Sequence, residues 1–175
     1  MGSQMAIPTV YEGVRFRSRL EARWAAFFDS IGWPWEYERR ELKNYIPDFA
    51  CDLENGELLV EVKPATHACE MREARAKIER SGWIGEALIV GYETRFRLVS
   101  LFGEATQTPW GTAFEWSEGE LFHCMNCGRV SVFASAGSWH CRRCGVSWGK
   151  DHVSLCDYQR HWTWAGNAIQ WRPAV

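Results

Sequence analysis

Two runs of alternating apolar and polar residues flank an Asn-Gly pair, and this arrangement constrains the fold more than any other feature of the chain. The runs are residues 48–54 and 57–63, and Asn55-Gly56 joins them. Asn-Gly is the preferred sequence of a two-residue type I′ turn, because both central residues of that turn need positive φ. The sequence therefore predicts an antiparallel β-hairpin closed by a two-residue turn.

The predicted register decides which side chains meet. Counting back from the turn places Asp48 opposite Lys63, with Glu61 one diagonal step away and the small Ala50 opposite Glu61. The other face of the hairpin is apolar, and its members are Phe49, Cys51, Leu53, Leu58, Val60 and Val62. We expect the apolar face to lie in the core and the opposite face to carry the chemistry.

Two carboxylates beside an ammonium group suit a divalent cation. Mg²⁺ takes one or two protein carboxylates and leaves its other positions to water and to substrate phosphate oxygens. A metal held by Asp48 and Glu61 could activate a water, while Lys63 orients the nucleophile or stabilises the transition state. The alternative is a solvated hairpin face, on which Asp, Glu and Lys are common.

Helix and strand patterns surround the hairpin. Apolar residues from Leu20 to Ile31 recur at helical spacing after Ser18, and Gly32 ends that run. We also expect an extended segment, a second helix and two strands at residues 33–41, 66–80, 86–90 and 94–102. The predicted order is therefore helix, three strands, helix and two strands.

With these motifs in this order, the chain resembles the PD-(D/E)XK nuclease superfamily across roughly residues 11–102. Pro47-Asp48 matches the first motif of that superfamily, Glu61-Val62-Lys63 matches the second, and Glu21 is similar to its additional acid on the first helix. The resemblance implies a restriction-endonuclease-like α/β core, in which a mixed sheet is flanked by helices. It also implies a catalytic Mg²⁺ or Mn²⁺ bound by Asp48, Glu61 and the backbone carbonyl of Val62, with Lys63 assisting the water.

Glu21 has two interpretations. As the additional catalytic acid of the superfamily, it would approach the metal. However, Ser18-Arg19-Leu20-Glu21 is also a capping box, in which the glutamate stabilises the first turn of its own helix. Both interpretations stay open on the sequence.

The cysteines predict a second metal site. Four of the seven cysteines form two C-x-x-C-G units, Cys124 with Cys127 and Cys141 with Cys144. Such pairs close on one ion, and two pairs supply the four thiolates of a structural Zn²⁺ site. An iron–sulfur cluster is the alternative ligand, but the paired knuckles fit a zinc ribbon better. A Gly/Thr/Pro-rich stretch precedes this region, so we expect a nuclease domain at 1–110 and a zinc-ribbon module with a Trp-rich tail at 111–175.

Basic residues are candidates for nucleic-acid contacts. Arginines cluster around the start of the first helix, a lysine precedes the hairpin, and two arginines follow Cys141, where we expect them to project from the second knuckle. Side chains of this kind bind phosphates without reading sequence. The candidates are Arg15, Arg17, Arg19, Lys43, Arg142 and Arg143. Ion pairing with surface acids is an equally good interpretation of the arginines near the first helix.

Composition narrows the setting. The odd total of seven cysteines, four of them in C-x-x-C pairs, and the lack of a signal-peptide pattern predict a cytoplasmic protein. No apolar run is long enough for a membrane span. We therefore expect a metal-dependent DNA endonuclease, with RNA as an open alternative, acting as a homodimer or as a subunit of a larger DNA-processing assembly. A non-catalytic nucleic-acid-binding or assembly subunit that keeps the nuclease fold is the alternative function.

Overall fold

The computed structural model describes residues 6–94, 97–134, 139–148 and 153–169. Within these ranges the helices are α1 (Arg19–Ser30), α2 (Arg72–Arg80) and α3 (Tyr158–Ile169), and a short 3-10 helix (Ala68–Met71) precedes α2. The strands are β1 (Thr9–Tyr11), β2 (Val14–Phe16), β3 (Trp35–Tyr37), β4 (Phe49–Asp52), β5 (Glu57–Val62), β6 (Glu86–Glu93), β7 (Leu98–Thr108), β8 (Gly111–Cys124), β9 (Val130–Ala134), β10 (Trp139–His140), β11 (Ser147–Trp148) and β12 (Val153–Leu155).

One mixed sheet organises the molecule. Its strand order is β12-β8-β7-β6-β5-β4-β3, and β9 also pairs with β8. Strands β5 and β6 run parallel, and α2 lies in the connection between them. The other pairings in this sheet are antiparallel. The chain is therefore a mixed α/β protein, as the sequence predicts.

Both faces of the central strands are buried, because side chains alternate between two cores. On one face Phe49, Val60 and Val62 pack with the apolar side of α1. On the other face Ala50 and Leu59 pack with α2. The sequence predicts the core against α1. The face toward α2 is also largely apolar, so Asp48 and Glu61 occupy only one end of that face.

Helix α1 confirms the helix predicted after Ser18. The hydroxyl of Ser18 accepts a hydrogen bond from the amide of Glu21 at 3.1 Å, which satisfies one of the free N–H groups at the helix start. The helix ends where Gly32 adopts a φ of +71°, a conformation that glycine reaches without steric cost. Trp24 and Phe28 are nearly inaccessible on its inner face.

The β4–β5 register differs from the prediction by two residues. Phe49 pairs with Val60 and Asp52 pairs with Glu57, so residues 53–56 form a four-residue connection and not a two-residue turn. Leu53 is fully buried and its amide donates to the Gly56 carbonyl at 3.1 Å. Because a shift of two residues keeps each side chain on its predicted face, the division of the hairpin into two faces holds.

The sheet also runs across the predicted domain boundary at residue 110. That position lies in the turn between β7 and β8, which pair from Leu101 with Glu118 to Thr108 with Gly111. Trp162 of α3 packs on Trp24 of α1, with ring centroids 4.8 Å apart. A division into 1–110 and 111–175 therefore cuts through a continuous sheet and a shared core. Among the described residues, no helix has the length and apolarity needed to cross a bilayer.

Candidate functional site

Two buried carboxylates lie side by side in the sheet. Asp48 directly precedes β4 and Glu61 lies near the end of β5, and they are 3% and 5% exposed. Continuing the observed register by one residue places Asp48 opposite Glu61 and not opposite Lys63. The structure therefore brings the two predicted acids into a closer pairing than the sequence implies, and we call Asp48, Glu61 and Lys63 the acidic site.

Asp48 is held by two donors. The amide of Val62 donates to its Oδ2 at 2.7 Å, and Nη2 of Arg17 donates to its Oδ1 at 2.6 Å. Burial, together with the negative charge of Glu61, raises the pKa of Asp48 to about 7. Near neutral pH this carboxyl group is therefore poised between its neutral and charged forms, and a bound cation would favour the charged form.

Glu61 has its own pair of partners. Nζ of Lys63 lies 2.5 Å from its Oε1, and the hydroxyl of Tyr45 donates to its Oε2 at 2.7 Å. Tyr45 is itself buried, and burial followed by the charge of Glu61 raises the pKa of its hydroxyl. Tyr45 therefore remains a hydrogen-bond donor that fixes the orientation of Glu61. No sequence motif marks this residue for a role, although it lies only three positions before Asp48.

Glu21 makes the contacts of a capping residue. It accepts hydrogen bonds from the Ser18 hydroxyl at 2.9 Å and from the Arg17 amide at 3.1 Å. The Tyr37 hydroxyl donates to it as well, at 2.6 Å. Both carboxylate oxygens thus accept hydrogen bonds at the helix start, which agrees with a capping role, although the backbone donor is the Arg17 amide and not that of Ser18. A role for Glu21 in metal binding stays a prediction.

Arg17 links these groups. Besides Asp48, its Nη2 lies 3.1 Å from Oε1 of Glu38, and its Nε lies 3.9 Å from Oε2 of Glu21. Its side chain is 62% exposed, so it covers the acidic site from the solvent side. The sequence predicts Arg17 as a phosphate ligand, whereas the structure places it as a counter-ion of the acids.

The remaining basic candidates near the acidic site are exposed. Arg15 lies on β2, Arg19 is the first residue of α1, and Lys43 lies in the segment before β4. Within the described ranges none of the three has an ion-pair partner. Their guanidinium and ammonium groups are therefore available to a polyanion.

The four predicted zinc ligands form a compact cluster. The sulfurs of Cys124, Cys127, Cys141 and Cys144 all lie within 4.8 Å of one another. The Cys124–Cys144 and Cys127–Cys141 distances are 3.8 and 3.7 Å. Four thiolates at about 2.3 Å from a tetrahedral Zn²⁺ are separated by about 3.8 Å. The cysteine cluster can therefore hold a metal ion such as zinc.

Each half of the cysteine cluster has the same backbone fold. Gly128 and Gly145 adopt φ values of +68° and +74°, and their amides donate to the carbonyls of Cys124 and Cys141 at 2.7 and 2.8 Å. Hydrogen bonds from the Val146 amide and the Asn126 side chain lower the pKa of Cys144 to about 7, although burial opposes them. This thiol therefore loses its proton readily when a metal binds.

Arg142 and Arg143 do not project from the second knuckle, contrary to expectation. They are 3% and 7% exposed. Nε and Nη2 of Arg142 contact the carboxylate of Glu86 at 2.5 and 2.7 Å, and its guanidinium lies 4.4 Å from the centre of the Phe102 ring. A buried guanidinium needs such partners, and Arg142 therefore fastens the cysteine region to the sheet instead of facing solvent.

The cysteine region also contacts residues 53–56. Arg129 and Arg143 lie 2.5 and 3.4 Å from Oε1 of Glu54. The amide of Asn55 donates to the Arg142 carbonyl at 3.2 Å. The connection between the strands that carry Asp48 and Glu61 is thus packed on the metal-binding knuckle.

Within the described residues, the cysteine cluster is the one group of three or more potential metal ligands whose ligand atoms all lie within 4.8 Å of one another. Glu21, Asp48 and Glu61 are not gathered this closely. Comparison of the chain with protein-family models, with curated proteins and with solved structures finds no match. The function must therefore be argued from the two sites themselves.

Proposed function

We propose that the protein is a metal-dependent nuclease of the PD-(D/E)XK type that hydrolyses phosphodiester bonds in DNA. The observation that carries the proposal is the buried Asp48–Glu61 pair, in which two carboxylates share one end of the sheet and the pKa of Asp48 is raised to about 7. Burying two acids together is costly unless a cation joins them. The order of elements, α1, β3, β4, β5, α2 and β6, supports the proposal as well.

The acidic site fits a divalent cation in its chemistry. Carboxylate oxygens of Asp48 and Glu61, with the carbonyl of Val62, are the hard ligands that Mg²⁺ and Mn²⁺ prefer. A bound ion would lower the pKa of a coordinated water and would neutralise charge on the phosphate. The site leaves room for substrate only if Arg17 releases Asp48, and its 62% exposed side chain permits this.

The chain's own residues have separate parts in hydrolysis. The hydroxyl of a water adds to phosphorus, the P–O bond to the leaving nucleotide breaks, and the leaving oxygen takes up the water's proton. Lys63 is placed beside Glu61 to hold the attacking water or to stabilise negative charge on the phosphate. Tyr45 keeps Glu61 in position through its hydrogen bond.

We propose a structural role for the cysteine cluster, with Zn²⁺ as its metal. Four sulfur ligands leave no open position for a substrate. The contacts of Arg142 with Glu86 and of Arg143 with Glu54 transmit the order of the knuckle to the central strands. In this proposal zinc supports the acidic site and takes no part in the reaction.

Cleavage assays test the nuclease proposal. We expect single-stranded, duplex, flapped or branched DNA, or RNA, to be cut with Mg²⁺ or Mn²⁺. Asp48→Asn, Glu61→Gln and Lys63→Gln should each lower the rate by at least about 10²-fold, the usual loss when one group is removed from a preorganised electrostatic site. Asp52→Asn is the matched control, since Asp52 is an exposed acid at the far end of β4. Equal activity of Asp48→Asn and Asp52→Asn would refute the proposal.

A second candidate function is a nucleic-acid-binding or assembly subunit that keeps this fold without turnover. The ion pair between Arg17 and Asp48 favours it, because an arginine can replace a metal as the partner of a buried acid. This function predicts binding without cleavage over the same substrates and metals. Arg17→Gln separates the two functions, since it should raise metal affinity in a nuclease and only destabilise a non-catalytic protein.

A further inference from the structure

A surface pocket of about 380 Å³ lies between α1 and α3, and neither Asp48 nor Glu61 lines it. Its polar lining residues are Arg19 and Arg23 from α1, Thr163 and Asn167 from α3, and Tyr92 from β6. Among the described residues that line it, none carries a carboxylate. The lining residues therefore carry two guanidinium groups, two hydroxyls and an amide, and none of them is acidic.

Arg23 is fixed in this pocket by α3. Its Nε and Nη2 donate to the carbonyl of Trp162 at 3.3 and 2.9 Å, and its guanidinium carbon lies 3.9 Å from the centre of the Trp162 ring. Arginine carries five N–H donors, so these two bonds leave others unused. No other hydrogen bond or ion pair joins Arg23 to the part of the chain that the structure describes.

Gly166 makes this arrangement possible. A Cβ at this position would lie 3.1 Å from Nη2 and 3.2 Å from Cζ of Arg23. Glycine inside a helix costs about 1 kcal/mol relative to alanine. The close approach of the guanidinium is consistent with glycine here, because a Cβ would make Arg23 shift by a few tenths of an ångström.

Neither arginine of the pocket has an ion-pair partner within the described ranges, although the charge of Glu93 acts on Arg23 at longer range. Arg19 is exposed, and within the described ranges it has no ion-pair partner. Burial lowers the pKa of Arg23, against the opposing charge of Glu93. A half-buried cation without an ion-pair partner gains most from an anion.

We propose that this α1–α3 pocket binds a phosphate of the nucleic-acid backbone, through Arg19 and Arg23 with Thr163 and Asn167 as further donors. This inference rests on the proposed function and adds α3 to the substrate-binding surface. Arg17, which donates to Asp48, precedes the pocket residue Arg19 by two positions, so the acidic site and the pocket both adjoin the start of α1. One strand can therefore reach both the acidic site and the pocket.

Binding measured without cleavage tests the inference. The Asp48→Asn protein is titrated, with no divalent ion added, against a labelled DNA duplex over a range of salt concentrations. In this background Arg19→Gln with Asn167→Leu should weaken binding about tenfold and reduce the salt slope by about 1, the value for one lost phosphate contact. Arg160→Gln is the matched control, because Arg160 is an exposed arginine of α3 outside the pocket.

Arg23→Gln gives a second measurement, with circular dichroism to confirm folding, since Arg23 joins the two helices. Inorganic phosphate and a nucleoside monophosphate are titrated in parallel. An unchanged salt slope in both pocket variants would overturn the inference. So would loss of small-phosphate binding with unchanged duplex affinity, because the pocket would then serve a free phosphate. Neither result depends on cleavage, so the nuclease proposal stands or falls separately.

Discussion

The cysteine cluster and the acidic site are both candidate cation sites, and the structure holds them in opposite ways. The four sulfurs already lie at the spacing of a metal tetrahedron, with 3.7 and 3.8 Å between two of their pairs. The carboxylates of Asp48 and Glu61 are instead paired with protein cations, Arg17 and Lys63. The cysteine cluster already has the four ligands that an ion needs. The acidic site would admit an ion when Arg17 releases Asp48.

In the proposed function, this difference separates a structural site from a reactive one. A closed set of four ligands binds its ion for the life of the fold. A site that holds Asp48 through an exposed arginine can open, bind and close again. The contrast predicts that metal loss at the cysteine cluster harms stability and that changes at the acidic site act mainly on metal binding.

The largest expected effect is the loss of the cysteine metal. Apparent binding free energies of structural zinc are about 10–16 kcal/mol in zinc-finger peptides. We therefore expect elemental analysis to show one zinc per wild-type chain, and Cys141→Ser to abolish this zinc and to lower Tm by more than about 10 °C. Cys69→Ser is the control, since Cys69 is exposed and outside the cluster. Equal Tm values for the two variants would contradict the proposed structural role of the cluster.

The next effect comes from the anchor between the cysteine region and the sheet. Arg142→Met leaves Glu86 without its partner, and breaking a buried pair costs about 3 kcal/mol. Urea unfolding measures this change. The control is Arg97→Met, which breaks an ion pair with Glu118 on the surface, where both side chains are about half exposed. That change should cost less than about 1 kcal/mol, and similar costs for both variants would contradict the burial of Arg142.

A smaller effect is the pH dependence of the acidic site. Asp48 has a higher pKa in the folded chain, about 7, than its ordinary value of 3.8. A raised carboxyl pKa favours folding while the group is protonated, so this stabilisation is present below pH 3.8 and is lost as pH rises through about 7. Asp48→Asn should remove this part of the stability curve of the metal-free protein, whereas Asp52→Asn should preserve it.

The same proton competes with the metal. Calorimetric Mg²⁺ or Mn²⁺ affinity of the zinc-loaded protein should rise with pH up to about 7 and then level off. A flat affinity between about pH 5 and about pH 7 would mean that Asp48 does not ligate the ion.

The smallest effect distinguishes two tyrosines. Tyr45→Phe removes the hydrogen bond that orients Glu61 and should weaken Mn²⁺ binding about tenfold. Tyr37→Phe removes the equivalent bond to Glu21. If Glu21 serves only its helix, Tyr37→Phe leaves the affinity unchanged, and a loss equal to that of Tyr45→Phe would place Glu21 at the metal.

Local spacing explains what the sequence could predict. The two C-x-x-C-G units depend on residues within a few positions, and the structure brings all four cysteines together. Helix α1 likewise follows from its own apolar period and its capping serine. These features need no information from distant parts of the chain.

The β4–β5 register shows what the sequence could not predict. Asn55-Gly56 favours a two-residue turn, but Asn55 donates to the Arg142 carbonyl, and Glu54 adopts a φ of +70° beside Arg129. A partner nearly ninety residues later therefore overrides the local turn preference. Because the register shifts by two residues, each side chain of the hairpin keeps its predicted face. The contacts of Tyr45 and Arg17 are tertiary, and no sequence motif predicts them.

The turn at residue 110 has a practical consequence for anyone who divides this chain. A fragment ending there would present the outer edge of β7 to solvent and would invite edge-to-edge aggregation. It would also remove Trp162 from Trp24 and leave the Trp33 indole without the Val130 carbonyl it donates to at 3.0 Å. Failure of such a fragment to cut DNA would report misfolding and would say nothing of its chemistry. Dissection of this protein therefore belongs to point variants of the full chain.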